Sequence, residues 1–290
     1  MIDRYQTEAG AISVEAVNMT MRFGDFTALD QVSINIPAGS FHALLGENGA
    51  GKSTLVKCIM GFYRVTEGEL LVAGQEARLS DQKMAQNRKL GMVYQHFTLV
   101  PSLTAVENLV ISRADIPAVI DWRRERRRLD AFMADMPFLV PLDQPVSRLA
   151  AGEKQKLEIL KQLYLGNRFL ILDEPTSVLT PAEANEVLSH VRALTDAGEI
   201  TVLMITHKFR EVTAFADNVS ILRRGKYVGG GKVASMSIKD MSHAMMGEAP
   251  TVNERVRKQT KQTPVMTLRG VKAQDSTGLK TIAIDDVTLN

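Results

Sequence analysis

A glycine-punctuated loop between an apolar run and a helical segment restricts this chain more than any other feature. Gly46-Glu47-Asn48-Gly49-Ala50-Gly51-Lys52-Ser53-Thr54 fits the pattern G-x-x-x-x-G-K-[ST]. Before it, Phe41-His42-Ala43-Leu44-Leu45 has strand character; after it, residues 53–60 read as a helix stopped by Gly61. Glycines let such a loop curl until its backbone N–H groups point inward at phosphate oxygens, and the helix N-terminus adds partial positive charge. Lys52 offers a cation to the β- and γ-phosphates, and the Ser53 hydroxyl can ligate Mg²⁺. A glycine-rich turn can match the pattern by chance, so the flanking elements and the remaining motifs must decide.

With 290 residues the chain has length for one large or two ordinary domains. Its 45% hydrophobic and 23% charged content is that of a globular protein, and a net charge of +2 neither requires nor excludes a polyanionic partner. The single cysteine, Cys58, excludes an internal disulfide and fits a reducing compartment; on the helix after the loop it reads as a small apolar residue rather than a reactive one. No apolar run approaches the roughly 20 residues of a membrane span. The opening Met1-Ile2-Asp3-Arg4-Tyr5 has no signal-peptide core, so any membrane role is expected to come through a partner.

Residues 11–19 and 27–36 read as strands, with Phe23 between them as a candidate to stack on a purine ring or to serve as plain core. Residues 69–72 form a further strand, residues 80–89 a short helix, and residues 90–94 a strand running into Gln95-His96-Phe97. A glutamine at a strand end can reach Mg²⁺ or an attacking water; otherwise it is a solvated loop residue. Residues 101–149 turn helical, beginning at the capping residue Thr104. The arginines 123, 124, 126, 127 and 128 around Trp122 suggest a nucleic-acid patch, but Asp121, Glu125 and Asp130 interrupt them, which favours a solvated helix face.

Ser147-Arg148-Leu149-Ala150-Ala151-Gly152-Glu153 is a small-residue turn opening a helix over residues 154–165. Phe169-Leu170-Ile171-Leu172-Asp173-Glu174-Pro175 is a wholly apolar strand ending in two carboxylates. Such strands flanked by helices belong to a parallel sheet buried on both faces, with ligands at the carboxyl ends of the strands. Asp173 is therefore placed to hold Mg²⁺ through water, and Glu174 to polarise a water for in-line attack on the γ-phosphate. A helix from Pro181 to about 195 and a strand over residues 200–206 lead to His207, which can contact the γ-phosphate and orient the carboxylate. Strands at 218–222 and 226–228 and a helix at 238–246 close the domain, and residues 250–264 form a polar, charged linker.

These motifs, in this order, resemble the ATP-binding subunit of an ABC transporter across residues 11–249. The resemblance makes the loop the Walker A motif, Gln95 the Q-loop, LAAGE the signature, ILDEP the Walker B, residues 177–180 the D-loop and His207 the switch histidine. It implies an α/β fold of the P-loop NTPase type: a mixed sheet core, an antiparallel β subdomain and a helical insertion over about 96–150. It further implies ATP and Mg²⁺ as ligands, with Glu174, His207 and Gln95 in the chemistry, Ser53, Gln95 and Asp173 around the metal, and Phe23 with residues 46–54 around the nucleotide.

VYQHFTLVPSLTAVENLVI and SRLAAGEKQKLEILKQL resemble bacterial importers of simple sugars or nucleosides, in which two ATPase domains share one chain. That group implies transmembrane permease subunits, an indirect solute-binding protein (periplasmic or a lipoprotein) and a peripheral place on the cytoplasmic face of the inner membrane. No nucleic acid is implied. A groove near Gln95 would receive a permease helix, with Phe97, Leu99 and Val100 as candidates to line it. Residues 27–35 (TALDQVSIN) are echoed by residues 282–290 (IAIDDVTLN), so residues 265–290 are expected to begin a second ATP-binding domain of a longer tandem chain. Two positions depart from the usual motifs. The signature serine is Ala150, which weakens the partner domain's site, and the last D-loop residue is Thr180 where aspartate is usual. The rivals are a tandem ABC ATPase acting on ribosomes, which a long charged inter-domain arm would favour, and a regulatory module without turnover, against which Lys52, Asp173, Glu174 and His207 argue.

Overall fold

Alternating and continuous apolar runs produce two kinds of sheet in this protein. The structure, a computed structural model, describes residues 10–117, 119–247, 268–273 and 284–289. The chain divides into two units, Met1–Glu248 and Ala249–Asn290; the expected linker 250–264 lies outside the described residues.

In the first unit, β1 (Val14–Phe23) and β2 (Phe26–Ile36) form an antiparallel hairpin. Val32, Ile34 and Ile36 are buried and Ser33 and Asn35 between them exposed, the period of two expected of a strand with one wet face. β3 (Phe41–Leu45) follows, with all five residues buried, and leads through the glycine loop into α1 (Lys52–Ile59). Cys58 is buried on α1, and burial pushes its thiol up to about 12. β4 (Glu67–Val72) and β5 (Gln75–Glu76) complete a four-stranded sheet in the order β2-β1-β4-β5. Next come α2 (Gln82–Asn87), capped by Asp81, and β6 (Leu90–Val93).

The helical insertion holds α3 (Ala105–Ile111), started by a Thr104–Glu107 capping box, and α4 (Trp122–Ala134). A 3-10 turn, Val146–Arg148, precedes α5 (Ala151–Tyr164), and then come β7 (Phe169–Asp173) and α6 (Pro181–Asp196). β8 (Thr201–Ile205), α7 (Phe209–Phe215), β9 (Asn218–Arg223), β10 (Lys226–Lys232) and α8 (Ile238–Met246) finish the unit.

The larger sheet runs β10-β9-β3-β8-β7-β6, parallel from β9 to β6, with β10 antiparallel at the edge. Its strands are apolar throughout because both faces are covered. Phe169 and Ile171 of β7 pack with α1 and the antiparallel sheet, whereas Leu170 and Leu172 pack with residues of α3, α5 and α6. Each such fully buried side chain contributes about 1.5–3 kcal/mol. Parallel pairing also brings the loops after β3, β6, β7 and β8 to one edge, where the sequence motifs lie.

Several expectations shift. β1 starts later and runs on to Phe23, so that residue closes the strand rather than lying between strands. α5 begins at Ala151, which puts Gly152 and Glu153 in its first turn. Leu99 is 7% exposed and belongs to the core with α3 and α5, because the chain after β6 folds back onto them; it cannot line a docking surface. The arginine-rich α4 has the solvated face expected. Arg126 pairs with Asp130 and Asp143, and Arg113 with the buried Glu125 (2.7 Å), while Leu129 and Met133 face inward.

The second unit contains β11 (Leu268–Ala273) and β12 (Ile284–Leu289), paired antiparallel as Leu268↔Leu289, Val271↔Val287 and Ala273↔Ile284. The pairs Ala16↔Ile34, Met19↔Val32 and Met21↔Leu29 of the β1–β2 hairpin have the same spacing, with register shifts at the same two steps.

Candidate active site

The loop after β3 is shaped by backbone conformations that only glycine takes cheaply. Gly46 lies at φ +159, and a Cβ there would stand 2.5 Å from the Leu222 carbonyl oxygen. Gly51, at φ +102, is the N-cap of α1 and offers no side-chain cap, so the N–H groups of the first helical turn are left to an outside acceptor. Lys52 is 8% exposed and arches over the loop, its Nζ donating to the carbonyl oxygens of Gly46 (2.6 Å) and Glu47 (2.9 Å). Burial holds its ammonium below the usual lysine range, against the pull of Glu174 and Asp173. Glu47, Asn48, Gly49 and Ser53 are exposed, Gly51 and Thr54 half-buried, and Ala50 buried, its N–H bonded to the Glu47 carbonyl (3.1 Å).

Three strand ends converge on Glu174. It follows β7 with a left-handed backbone (φ 46), and its N–H donates to the Ile205 carbonyl at the end of β8 (3.0 Å). Its two carboxylate oxygens are divided between neighbours: Gln95 Nε2, after β6, donates to Oε2 (3.4 Å), and His207 Nδ1, after β8, lies 3.2 Å from Oε1. Asp173, half-buried beside it, has its carboxyl held above the usual range by burial and by the Glu174 charge, opposed by Lys52 and Lys57. Removing this carboxylate from water raises the value of a cation in front of it.

Glu174 is thus in direct contact with both Gln95 and His207, and Lys52, Asp173 and Glu174 share one electrostatic field. Phe23 stands apart from that contact: it is half-exposed and meets Tyr63 edge-on (centroids 5.1 Å, 80°), with Lys57 Nζ 5.4 Å from the Tyr63 ring centre. Tyr63 was not expected from the sequence. Nor were Thr176, Thr206, Lys208 and Glu211, which hydrogen-bond together behind Glu174. Of these only Glu211 lies on α7, a helix of seven residues, too few for the spacing of Phe209, Val212 and Phe215 to mark it in the sequence.

Mg²⁺ fits the donors present. Among the described residues no group of three or more His, Cys, Asp or Glu could hold a metal ion. Ser53 in the first turn of α1, and Gln95 and Asp173 at the carboxyl ends of the neighbouring strands β6 and β7, offer one hydroxyl, one amide and one carboxylate, the sparse set that Mg²⁺ accepts when phosphates and water supply the rest.

A family model described as ABC transporter matches residues 29–177. The chain belongs to the ABC transporter family. A nucleoside import ATP-binding protein of Lactococcus lactis subsp. cremoris is 34% identical over 267 residues, covering 91% of this chain and 52% of that protein. A glucose import ATP-binding protein of Haloferax volcanii is 34% identical over 302 residues, 94% of this chain and 54% of that one. The chain therefore spans about half the length of the curated relatives it matches. Among solved structures, the ADP conformation of an ATP-binding cassette of an ABC transporter superposes with a TM-score of 0.68 at 23% identity, covering 82% of this chain and 96% of that one. The ABC cassette fold, with its antiparallel sheet and helical insertion, is the fold expected from the sequence.

The Leu149-Ala150-Ala151-Gly152-Glu153 turn lies at the start of α5. Ala150 is exposed and is the N-cap, but its methyl group accepts no bond; only the Glu153 carboxylate returns to its N–H (2.8 Å). Thr180 caps α6 by a full reciprocal exchange with Glu183, so it fills the capping role an aspartate would also fill.

Proposed function

We propose that this chain is the ATP-binding and ATP-hydrolysing part of an importer for a small polar solute, a sugar or a nucleoside, moved through separate membrane permease subunits. The observation that carries the reading is Glu174, held between Gln95 and His207 on the edge that also bears the Lys52 loop. The named activities of the relatives, nucleoside and glucose import, supply the solute class.

In this reading residues 46–54 cradle the phosphates, Lys52 leaves the loop carbonyls for phosphate oxygens, and Phe23, with Tyr63 behind it, meets the purine. Ser53, Gln95 and Asp173 would hold Mg²⁺, which would supply positive charge to offset that of the phosphates. Glu174 accepts the proton of the attacking water as His207 and Gln95 fix its orientation. Permease subunits dock at the groove of roughly 330 Å³ between α2, β6, α3 and α5, lined in part by Gln86, Tyr94, Val100 and Ile111. Phe97, half-buried beside Gln95, is the other contact. No helix among the described residues is long and apolar enough to cross a membrane, in keeping with a peripheral place on the cytoplasmic face of the inner membrane. A solute-binding protein acts only through the permease, and no nucleic acid takes part.

Residues 1–249 form one ATP-binding domain, 250–264 a linker, and 265–290 the beginning of a second. The repeated register of β1–β2 in β11–β12 supports that division. Ala150 then faces the other domain's nucleotide, not the one at Lys52.

The test is uptake. Vesicles carrying the full-length protein and the permease encoded beside it are expected to import ribose, glucose or nucleosides with ATP inside, and Lys52→Ala to abolish that import. Hydrolysis indifferent to any permease, together with ATP-dependent binding to ribosomes, would overturn the import reading.

A further inference from the structure

Behind Glu174 lies a second carboxylate with no place in the reading above. Glu211 of α7 is 8% exposed, and each of its oxygens takes one threonine hydroxyl from a different loop. Thr176 Oγ1 donates to Oε1 (2.5 Å), and Thr206 Oγ1 donates to Oε2 (3.0 Å). Lys208 completes the cluster. Its Nζ lies 3.2 Å from Glu211 Oε1 and donates to the Thr176 hydroxyl (2.9 Å) and carbonyl (3.0 Å), while its N–H donates to Thr206 Oγ1 (3.1 Å). The donor and acceptor capacity of both hydroxyls is consistent: each donates once, to the carboxylate, and accepts from lysine. Thr176 and Thr206 are themselves 1% and 2% exposed, so these bonds are shielded from water.

Thr176 is two residues beyond Glu174, and Thr206 is the residue before His207. Glu211 therefore ties together the two loops whose side chains meet at 3.2 Å in front of it. Such a tie has work to do, since Glu174 keeps a left-handed backbone that a residue with a Cβ holds only where its surroundings impose it.

We propose that Glu211 is a positioning residue for hydrolysis: with Thr176, Thr206 and Lys208 it sets the distance between Glu174 and His207 without touching nucleotide. The proposal rests on the hydrolytic role given to Glu174. It expects a loss in turnover with nucleotide affinity preserved, because the Lys52 loop lies on another strand end. In the full-length protein, Glu211→Gln puts an amide N–H₂ where an acceptor is needed beside Lys208 or a threonine. It is expected to lower kcat by about 10–100-fold at unchanged Kd for a fluorescent ATP analogue, in line with small misplacements at an active site. Thr176→Val and Thr206→Val should each follow, while Thr176→Ser and Thr206→Ser, which restore the hydroxyl, recover the rate. In a Glu174→Gln background Glu211→Gln should cost nothing more, since its effect runs through the carboxylate already removed.

Folded Glu211→Gln at the wild-type kcat would overturn the proposal, as would parallel loss of kcat and affinity or a further full loss on top of Glu174→Gln. Should Glu211→Gln fail to fold, the valine and serine pairs decide alone: equal rates for both sets overturn it. Wild-type protein that binds ATP but has no turnover to lose, with or without permease, would instead remove the hydrolytic reading on which the proposal stands.

Discussion

At the amino-terminal edge of the six-stranded sheet, Asp217 Oδ2 accepts from the Phe41 N–H (2.8 Å) and pairs with Arg192 (2.8 Å), whose other arm holds Asp196 (2.7 Å). Thr201 Oγ1 there accepts from the Gly39 N–H (2.9 Å) and donates to the Ile12 carbonyl (2.7 Å). At the carboxyl edge of the same strands, two adjacent carboxylates and a buried ammonium face one another, and the contacts around Glu174 are as long as 3.4 Å. At the first edge Asp217, Arg192 and Thr201 are satisfied by one another and by nearby backbone, in contacts worth little individually. The other keeps charge and N–H groups available, which lowers stability and makes room for a ligand. Variants at one edge should cost stability without touching chemistry, and variants at the other should cost binding or chemistry without costing stability.

The largest effect is expected from Glu174→Gln. Turnover of Mg-ATP should fall by about 10²–10⁴, the contribution of a general base, with Kd and thermal midpoint held. Equal losses in binding and turnover would mean that Glu174 is structural and the two edges are alike.

His42, near the amino end of β3, should give the next. It is 3% exposed, its Nε2 lies 2.9 Å from Ser220 Oγ, and Nδ1 has no partner among the described residues. Burial lowers its pKa from 6.5 to about 4, partly opposed by Asp217. Below 6.5 the unfolded chain takes up a proton that the folded one refuses. The contribution is therefore whole above pH 6.5, lost as pH falls to about 4, and constant below that. Urea midpoints across this window should show a decline of roughly 3 kcal/mol that His42→Gln removes. A slope that persists in the variant assigns it to other groups.

Lys52→Ala should weaken Mg-ATP binding by about 1.5–3 kcal/mol, the value of a charge-assisted contact, and leave stability equal or improved because a desolvated ammonium is gone. Calorimetric titration against a melting curve separates the two. The smallest effect belongs to Asp217→Ala. The Asp217 side chain is 38% exposed, so the ion pair counts for little and the lost Phe41 bond dominates, at about 1–2 kcal/mol of unfolding free energy with ATP affinity unchanged. A change in affinity would connect the two edges.

Which residues gather at the carboxyl edge was readable from sequence because each carries a local signal. Gly46 to Thr54 are contiguous, Asp173 and Glu174 end an uninterrupted apolar run, and Gln95 and His207 each terminate a strand recognisable by composition. The parallel sheet followed from runs such as Phe169 to Leu172, which only a doubly covered strand supports. What stayed hidden depends on contacts between distant residues. Glu211 meets Thr176 across 35 positions, on a seven-residue helix too short to announce itself by periodicity. Leu99 stands beside the exposed Val100 in the chain, and only the fold-back against α3 and α5 sends one inward and the other outward. Phe23 meeting Tyr63 likewise joins β1 to the turn after α1.

The lone thiol of Cys58, sealed in the core with its pKa pushed to about 12, has a practical consequence. Thiolate is the reactive form, and at neutral pH a thiol so raised supplies very little of it. Towards maleimides or spin labels the folded chain behaves as if it were free of cysteine. A single reporter thiol installed at exposed Val178, four residues beyond Glu174, would then carry all the signal, and Mg-ATP titrations could be read from it in otherwise unaltered protein.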